Sequence, residues 1–325
     1  MSKFNSILIM LKNPLIAFFK LIRVENLLII VITQICMKYL VFAPLNEYSN
    51  FTPVLFIISL LSTILIAAAG YIINDYFDVK TDKINRPETV VIDVAIKRRW
   101  AMILHIVFNA IGLILGFYLA LKCHSLILLA FQILSITLLW FYSTHFKKQL
   151  LVGNIIVSIL TATIPLMPMV YDYYLIGEIN PIISFVIGDY LKTLVVIIIG
   201  YGAFAFLTSF TREVIKDMED YKGDIQTGGK TMPIVWGIIT SKVVTFFLIV
   251  IIIGLLLLAS FKFYKEQQYL AVYYILGVVV FPLIILIFQT IRAKTSKDFK
   301  MASLLLKFVM LFGIAFTIII KYLYQ

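Results

Sequence analysis

The sequence predicts an all-α, polytopic membrane protein: a bundle of nine transmembrane helices with its N-terminus on the cytoplasmic side. Hydrophobic residues make up 62% of the 325 residues and charged residues only 14%, so a soluble core could not hold the apolar side chains under a polar surface. Nine stretches also approach the roughly 20 apolar residues that a helix needs to cross a bilayer. In addition, lysine and arginine are concentrated on alternate connections between these stretches.

The predicted spans follow one another along the chain with short connections. They lie near residues 24–43, 53–73, 100–121, 123–142, 150–171, 192–211, 240–260, 269–291 and 302–322. The longest polar stretches, 74–99 and 212–239, are predicted to be loops that carry acidic residues. Because no soluble domain or low-complexity linker separates the spans, residues 1–325 are predicted to form a single intramembrane domain. The residues before the first span are expected to be a retained amphipathic segment on the membrane surface.

The formal net charge of +11 is distributed unevenly. The N-terminal segment and the second, fourth, sixth and eighth connections, with the adjoining helix ends, carry 22 of the 28 lysine and arginine residues. The positive-inside rule therefore predicts a cytoplasmic N-terminus and an external C-terminus. Membrane topology and attraction to anionic membrane lipids account for the basic balance, and no nucleic-acid partner is indicated.

Two acidic groups with the same spacing interrupt the apolar pattern. They are Asp75, Asp78 and Asp82 in NDYFDVKTD, and Asp217, Asp220 and Asp224 in KDMEDYKGD. The spacing i, i+3, i+7 places the three carboxylates of each group on about one face of a helix, at about 100° per residue. One group follows the second span and the other follows the sixth, so both should emerge on the cytoplasmic side, where they can face each other.

Such acidic groups require a cation. Acids at the C-terminal end of a helix meet the negative end of its dipole, and like charges one turn apart repel each other. Carboxylates without His or Cys suit Mg²⁺, which commonly binds one or two carboxylates, water and the phosphate oxygens of a substrate. The two groups are therefore predicted to bind Mg²⁺ and a diphosphate. The alternative is that they are ordinary solvated charges that end helices, but their duplication at corresponding span ends favours a functional site.

At these residues the sequence resembles the UbiA-type intramembrane prenyltransferase family. The resemblance lies in the N-D-x-x-D-x-x-x-D motif that begins at Asn74, in the second acidic motif, and in the short elements RVEN, NRP, YS and GN at 23–26, 85–87, 142–143 and 153–154. It spans nearly the whole chain. It implies a nine-helix intramembrane enzyme that transfers an isoprenoid chain from a prenyl diphosphate to a lipophilic acceptor, with Mg²⁺ and the diphosphate held by the two motifs.

The acceptor is less closely defined. The segment REVIKDMEDYKGDIQTGGKTMP, residues 212–233, resembles the branch of the family that alkylates prenylated glycerol phosphate in ether-lipid formation. Branches that prenylate aromatic acceptors in quinone or pigment biosynthesis share the diphosphate motifs, so an aromatic acceptor stays open. From another class, an ion-coupled membrane transporter could also use two acidic groups, although such sites lie near the bilayer midplane and these acids lie at helix ends.

An allylic diphosphate ionises when the charge that develops on its leaving group is stabilised, which a metal and basic side chains can both do. The expected metal ligands are Asp75, Asp78, Asp82, Asp217, Asp220 and Asp224. The expected catalytic residues are Asp78, Asp82, Asp220, Asp224 and Tyr142. The expected substrate-binding residues are Asn74, Arg23, Asn26, Arg86, Lys147, Arg212 and Lys216. The positive-inside bias by itself also places lysine and arginine at these helix ends.

Two further expectations concern the surroundings of the site. Tyr142 ends the fourth span on the cytoplasmic side, where an aromatic ring can shield and stabilise an allylic cation. Gly223, Gly228 and Gly229 predict a tight, mobile loop over the site. The protein is expected to be a multi-pass component of the cytoplasmic membrane of a prokaryote, with its active site facing the cytoplasm.

Overall fold

A computed structural model describes residues 13–42, 49–175 and 181–324. Within these ranges the chain forms helices and short turns, with an isolated β-bridge between Ile92 and Ile96. Nine of the described helices are long and apolar enough to cross a membrane. The predicted fold class, an all-α protein with nine transmembrane helices, is therefore confirmed.

The helices are numbered here in chain order. In the first part they are α1 (Pro14–Leu21), α2 (Val24–Cys36, continued by a π-helical turn Met37–Val41), α3 (Pro53–Asn85), α4 (Arg98–Lys122), α5 (Leu126–Thr144) and α6 (Val152–Leu175). They continue with α7 (Pro181–Gln226), α8 (Met232–Val235), α9 (Ile238–Lys265), α10 (Tyr269–Tyr274, continued by a π-helical turn Ile275–Val280), α11 (Phe281–Arg292) and α12 (Ser296–Tyr324). Short 3₁₀ turns occur at Pro87–Thr89 and Phe146–Lys148.

The second and sixth predicted spans are too short, and the acidic motifs predicted as loops are helical. Helix α3 continues to Asn85 and α7 continues to Gln226. Hydropathy falls where the acids begin, but the backbone hydrogen bonding of a helix continues until a residue disfavours it. For α3 that residue is Arg86, which precedes Pro87 and has φ −149° and ψ 61°. For α7 it is Gly228, whose φ of 77° suits the residue that follows a helix.

Helix α1 forms part of the predicted surface segment. Its N-terminus is capped by Asn13, whose Oδ1 accepts a hydrogen bond from the N–H of Leu15 at 3.0 Å. Leu15 and Phe19 are exposed on one side, whereas Ala17 and Leu21 are fully buried. All four side chains are apolar, so this distribution does not test the predicted amphipathic character. Residues 1–12 of the predicted segment lie outside the described residues, and its place on the membrane surface stays a prediction.

The described residues group into two compact units. The first unit comprises the residues up to Val31, Thr52–Ile156 and Lys222–Lys230. The second comprises Ile32–Phe51, Val157–Tyr221 and the residues from Thr231 onward. That residues 1–325 act as a single domain stays a prediction.

In the first unit, α3 packs against α4 and α5. Gly112 of α4 makes this possible, because a Cβ there would lie 2.9 Å from Cγ1 of Ile66 on α3. Small residues at such positions let helix backbones approach closely in a membrane protein. The first acidic motif thus lies on the helix that the unit packs around.

In the second unit, α9 and α12 pack against α11, and α12 also contacts the π-helical turn after α2. One apolar cluster there consists of Met37, Val41, Phe42, Leu194, Ile198 and Ile320. Near it lies an ion pair that the sequence does not predict: Lys38 Nζ is 2.7 Å from Asp172 Oδ1, and both side chains are buried. Pairing of this kind is what allows two charged groups to be buried inside an apolar bundle.

Candidate functional site

The first acidic motif occupies the last three turns of α3. Asn74 and Asp78 are buried, and Asp75 and Asp82 are half-buried. Buried carboxylates need charged or hydrogen-bonding partners, because removing an ionised group from water is otherwise very unfavourable. Two basic side chains of the first unit provide them.

Arg23 pairs with Asp75. Its Nη2 donates to Asp75 Oδ1 at 2.6 Å, and its guanidinium carbon lies 5.2 Å from the centre of the Tyr71 ring. Burial opposes the charged form, but the Asp75 carboxylate outweighs it and raises the pKa of Arg23. Arg23 also has a φ of 50°, in the left-handed region that favours glycine. The turn between α1 and α2 therefore adopts an unfavourable conformation at the residue that pairs with the motif.

Lys147 pairs with Asp78. It lies in the 3₁₀ turn after α5, and its Nζ donates to Asp78 Oδ2 and, at 3.4 Å, to Asn74 Oδ1. Burial would lower the pKa of Lys147, but the Asp78 carboxylate and the Tyr142 hydroxyl raise it above its usual value. Tyr142 is therefore close to Lys147, as the sequence suggests for two residues at one end of α5.

Gly153 allows the turn that carries Lys147 to pack against the start of α6. A Cβ at Gly153 would lie 2.8 Å from the carbonyl oxygen of Phe146 and 3.0 Å from Cα of Lys147. Both neighbours are backbone atoms, which cannot move aside as a flexible side chain can. The position of Lys147 therefore depends on the absence of a side chain at Gly153.

A Gly153→Ala variant is expected to move this turn. The overlap should lower the stability of the protein by about 1–3 kcal/mol. It should also lower the rate of prenyl transfer at least about tenfold, since small misplacements of a positioned group reduce rates steeply. Gly254→Ala is the matched control, because Gly254 lies inside α9 and no atom would lie within 4 Å of a Cβ there. The checks are the thermal unfolding midpoint in detergent and the transfer rate. Equal behaviour of the two variants would contradict this role for Gly153.

The last part of the second motif and the residues that follow it are hydrogen-bonded to the end of α3. The N–H of Gly223 donates to Asn85 Oδ1 at 2.9 Å, and Thr81 Oγ1 donates to Thr227 Oγ1 at 3.1 Å. A Cβ at Gly223 would lie 2.5 Å from Asn85 Nδ2. The prediction of a glycine loop is wrong at Gly223, which lies inside α7 and permits this close contact. Asn85, part of the NRP element, thus contacts the helix that carries the second motif.

The second motif lies on α7 with the predicted helical spacing. Asp217 and Asp220 belong to the second unit and Asp224 to the first, and all three are half-buried. The side chains of Arg212 and Lys216 contact a different acid: Arg212 Nη1 and Lys216 Nζ lie 3.6 and 3.5 Å from Glu213 Oε1. Sequence reasoning missed Glu213, although its spacing of three residues from Lys216 is a signal for such a pair.

The remaining predicted site residues lie at helix ends in the first unit. Asn26 is half-buried in the first turn of α2, where its N–H donates to the carbonyl oxygen of Arg23 at 2.8 Å. Arg86 follows the last residue of α3, and its N–H donates to the carbonyl oxygen of Asp82 at 2.7 Å.

The acids of the first motif have the chemistry of Mg²⁺ ligands. Their donors are carboxylate oxygens, which Mg²⁺ prefers, and Asp75 and Asp78 lie against Arg23 and Lys147. Across residues 13–42, 49–175 and 181–324, no group of three or more His, Cys, Asp or Glu side chains is arranged to hold a metal ion. The donor set therefore fits the ion in kind, and the ligand set named from the sequence stays a prediction.

The chain was compared with known proteins. A model of the UbiA prenyltransferase family matches residues 36–318. A digeranylgeranylglyceryl phosphate synthase of Methanothermobacter thermautotrophicus is 35% identical over 176 residues, which cover 54% of each chain. A second synthase of that name, from Sulfurisphaera tokodaii, is 29% identical over 276 residues, 85% of this chain and 87% of the relative. The aligned region thus spans about half the length of the first of these relatives.

Two solved structures share the fold. One, described as giving structural and mechanistic insights into digeranylgeranylglyceryl phosphate synthase in membranes, has a TM-score of 0.59 at 23% identity and covers 94% of this chain and 99% of its own. The other is a UbiA homolog from Archaeoglobus fulgidus bound to GPP and Mg²⁺, with a TM-score of 0.53 at 16% identity and coverage of 93% and 99%. Since the family model matches residues 36–318, most of the sequence, this chain belongs to the UbiA prenyltransferase family.

Proposed function

We propose that this protein transfers an isoprenoid chain from a prenyl diphosphate to a prenylated glycerol phosphate, with Mg²⁺ as its cofactor. The observation that carries the proposal is the arrangement at the end of α3, where Arg23 and Lys147 are held against two acids of a family motif. The glycerol phosphate acceptor is supported by the names of the relatives and by the second-motif segment. Membership of a prenyltransferase family sets the transporter alternative aside.

The paired cations suggest how the site works. Arg23 and Lys147 are charged groups at the end of a transmembrane helix, where they can bind diphosphate oxygens as well as carboxylates. Mg²⁺, when bound by the acids, supplies Lewis-acid stabilisation of the leaving diphosphate. Tyr142, near Lys147, presents a ring that can shield the allylic cation from water. The proposed active site also includes further acids and polar or basic side chains. They are Asp82, Asp217, Asp220, Asp224, Asn26, Asn74, Arg86, Arg212 and Lys216.

We place the active site on the cytoplasmic side of the membrane, on the basis of the lysine and arginine distribution. Single cysteines at the exposed positions Lys83 and Gly228 are expected to react with a membrane-impermeant thiol reagent from the cytoplasmic side. A cysteine at the exposed Glu266, in the turn after α9, should react only from outside. Asn46, a second external position by sequence, lies outside the described residues. The inverse labelling pattern would refute this orientation.

Binding of metal and substrate should be coupled. If the acids bind the diphosphate through Mg²⁺, metal and prenyl diphosphate each tighten the binding of the other by the same factor. The affinity for the diphosphate should rise by about 0.8 kcal/mol for each additional buried CH₂, and inorganic pyrophosphate should compete more weakly. The measurement is Mn²⁺ or Mg²⁺ binding with and without a non-hydrolysable prenyl diphosphate analogue. The double variant Asp82→Asn, Asp224→Asn should abolish the coupling. If the wild type showed no coupling between metal and prenyl diphosphate binding, the proposed chemistry would be refuted.

A further inference from the structure

A cavity lined by lysines lies beside α3, on a different side of the helix from the acids of the first motif. It is open to solvent on one side. Its lining residues all belong to the first unit: Phe77, Lys80, Thr81, Lys148, Gln226 and Thr227. At about 100° per residue, Phe77 and Lys80 lie about 130–170° around the helix from the mean direction of the three acids. We call this cavity the lysine pocket.

The lining of the lysine pocket suits an anion. It contains two lysines and no acidic residue. The hydroxyls of its two threonines already donate hydrogen bonds, Thr81 to Thr227 Oγ1 and Thr227 to the carbonyl oxygen of Gly223. Lys80 is exposed, and no hydrogen bond or ion pair joins its side chain to another described residue. Lys148 Nζ donates to the carbonyl oxygen of Thr227 at 3.1 Å, which leaves two of its three N–H groups for a ligand. Phosphate oxygens accept several such bonds at once.

The surroundings of the pocket indicate a lipid as the source of that anion. Phe77, which forms one wall, is 42% exposed, and its ring lies 6.0 Å from that of Trp140, which is 37% exposed. Exposed aromatic rings at the ends of transmembrane helices are typical of the membrane interface. Basic pockets between helices at that level bind lipid headgroups. The apolar rings can contact an acyl or prenyl chain while the lysines contact its phosphate.

We propose that the lysine pocket binds the phosphate headgroup of an anionic membrane lipid. The pocket shares the Phe146–Lys148 turn with the candidate active site, since Lys148 lines the pocket and Lys147 binds Asp78. It also contains Thr227, whose hydroxyl accepts a hydrogen bond from Thr81 of α3. A bound headgroup therefore stabilises the turn that positions Lys147. This second step, an effect on turnover, rests on the proposed function.

The test compares two lysines on one helix. The full-length protein in nanodiscs is titrated with phosphatidylglycerol in a phosphatidylcholine background, and bound lipid is counted by native mass spectrometry. Lys80→Gln should bind the anionic lipid about fivefold more weakly, the factor that one lysine near an anionic surface contributes. Lys83→Gln is the matched control: Lys83 is also exposed, one turn further along α3, and does not line the pocket. It should bind as the wild type does.

Lipid binding by the pocket and the effect of that lipid on turnover are tested separately. If Lys80→Gln and Lys83→Gln lost the same affinity for the anionic lipid, or the wild type did not prefer that lipid, the proposed role of the lysine pocket would be overturned. Displacement of the lipid by inorganic phosphate at equal concentration would overturn a lipid as its occupant. Prenyl transfer should increase with the phosphatidylglycerol fraction in the wild type and in Lys83→Gln but not in Lys80→Gln. Normal lipid binding without transfer to any acceptor would instead refute the proposed function and leave the pocket standing.

Discussion

An Asp78→Asn variant is expected to lose prenyl transfer almost completely, with kcat/KM reduced by about a hundredfold to a thousandfold, as when one preorganised electrostatic group is removed from an active site. Asparagine keeps the size of the side chain and much of its hydrogen bonding. It removes the charge that holds the Lys147 ammonium and that is proposed to bind the metal. Asp78 is buried, so water cannot replace the lost interaction easily. The measurement is transfer of a labelled prenyl group at saturating Mg²⁺.

Asp93→Asn is the matched control for this variant. It makes the same chemical change at an acid of the same unit that pairs with Arg98, at 3.2 Å, on the loop before α4. Asp93 has a φ of 68°, which asparagine adopts as readily as aspartate does. We expect near-normal turnover from it. Near-normal turnover from Asp78→Asn as well would refute a role for the first motif in catalysis, and Asp220→Asn tests the second motif in the same way.

A Lys147→Gln variant is expected to lower kcat by about a hundredfold without weakening Mg²⁺ binding. The ammonium is the cation closest to Asp78 and is proposed to stabilise the leaving diphosphate, so its loss should reduce the rate. Removal of a positive charge beside a carboxylate does not disfavour a metal at that carboxylate, and metal affinity should stay equal or rise. Turnover and Mn²⁺ affinity are measured on the same preparation. A parallel loss of both would mean that Lys147 only maintains the structure.

The double variant Asp78→Asn, Lys147→Gln tests whether the two residues act as a unit. Groups that act together in one step give losses that do not add. We therefore expect the double variant to be about as slow as Asp78→Asn alone. Lys148→Gln gives a comparison at the neighbouring lysine, whose side chain contacts Thr227 instead of the motif. Strictly additive losses from Asp78 and Lys147 would contradict the pairing as a catalytic feature.

The sequence by itself determined the fold class, the number of spans and the two acidic motifs. These features depend on local chemistry. A run of about 20 apolar residues can only be a span in this composition, and a carboxylate beside such a run is conspicuous because lipid disfavours it. The i, i+3, i+7 spacing predicted that the three acids share one helical face, but the stretch that contains them was predicted to be a loop, and α3 continues through it. The ends of α3 and α7 were less predictable, because hydropathy marks where lipid contact stops and not where backbone hydrogen bonding stops.

The tertiary structure alone decided which side chains meet. Asp75 and Asp78 are separated by 52 and 69 positions from Arg23 and Lys147, and among many basic residues at the same side no local pattern selects these two. The roles of Gly153 and Gly223 depend on backbone or side-chain atoms of another segment within 3 Å of a missing Cβ. Such contacts arise from the packing of distant segments, and close packing has no signature in the sequence of either segment alone.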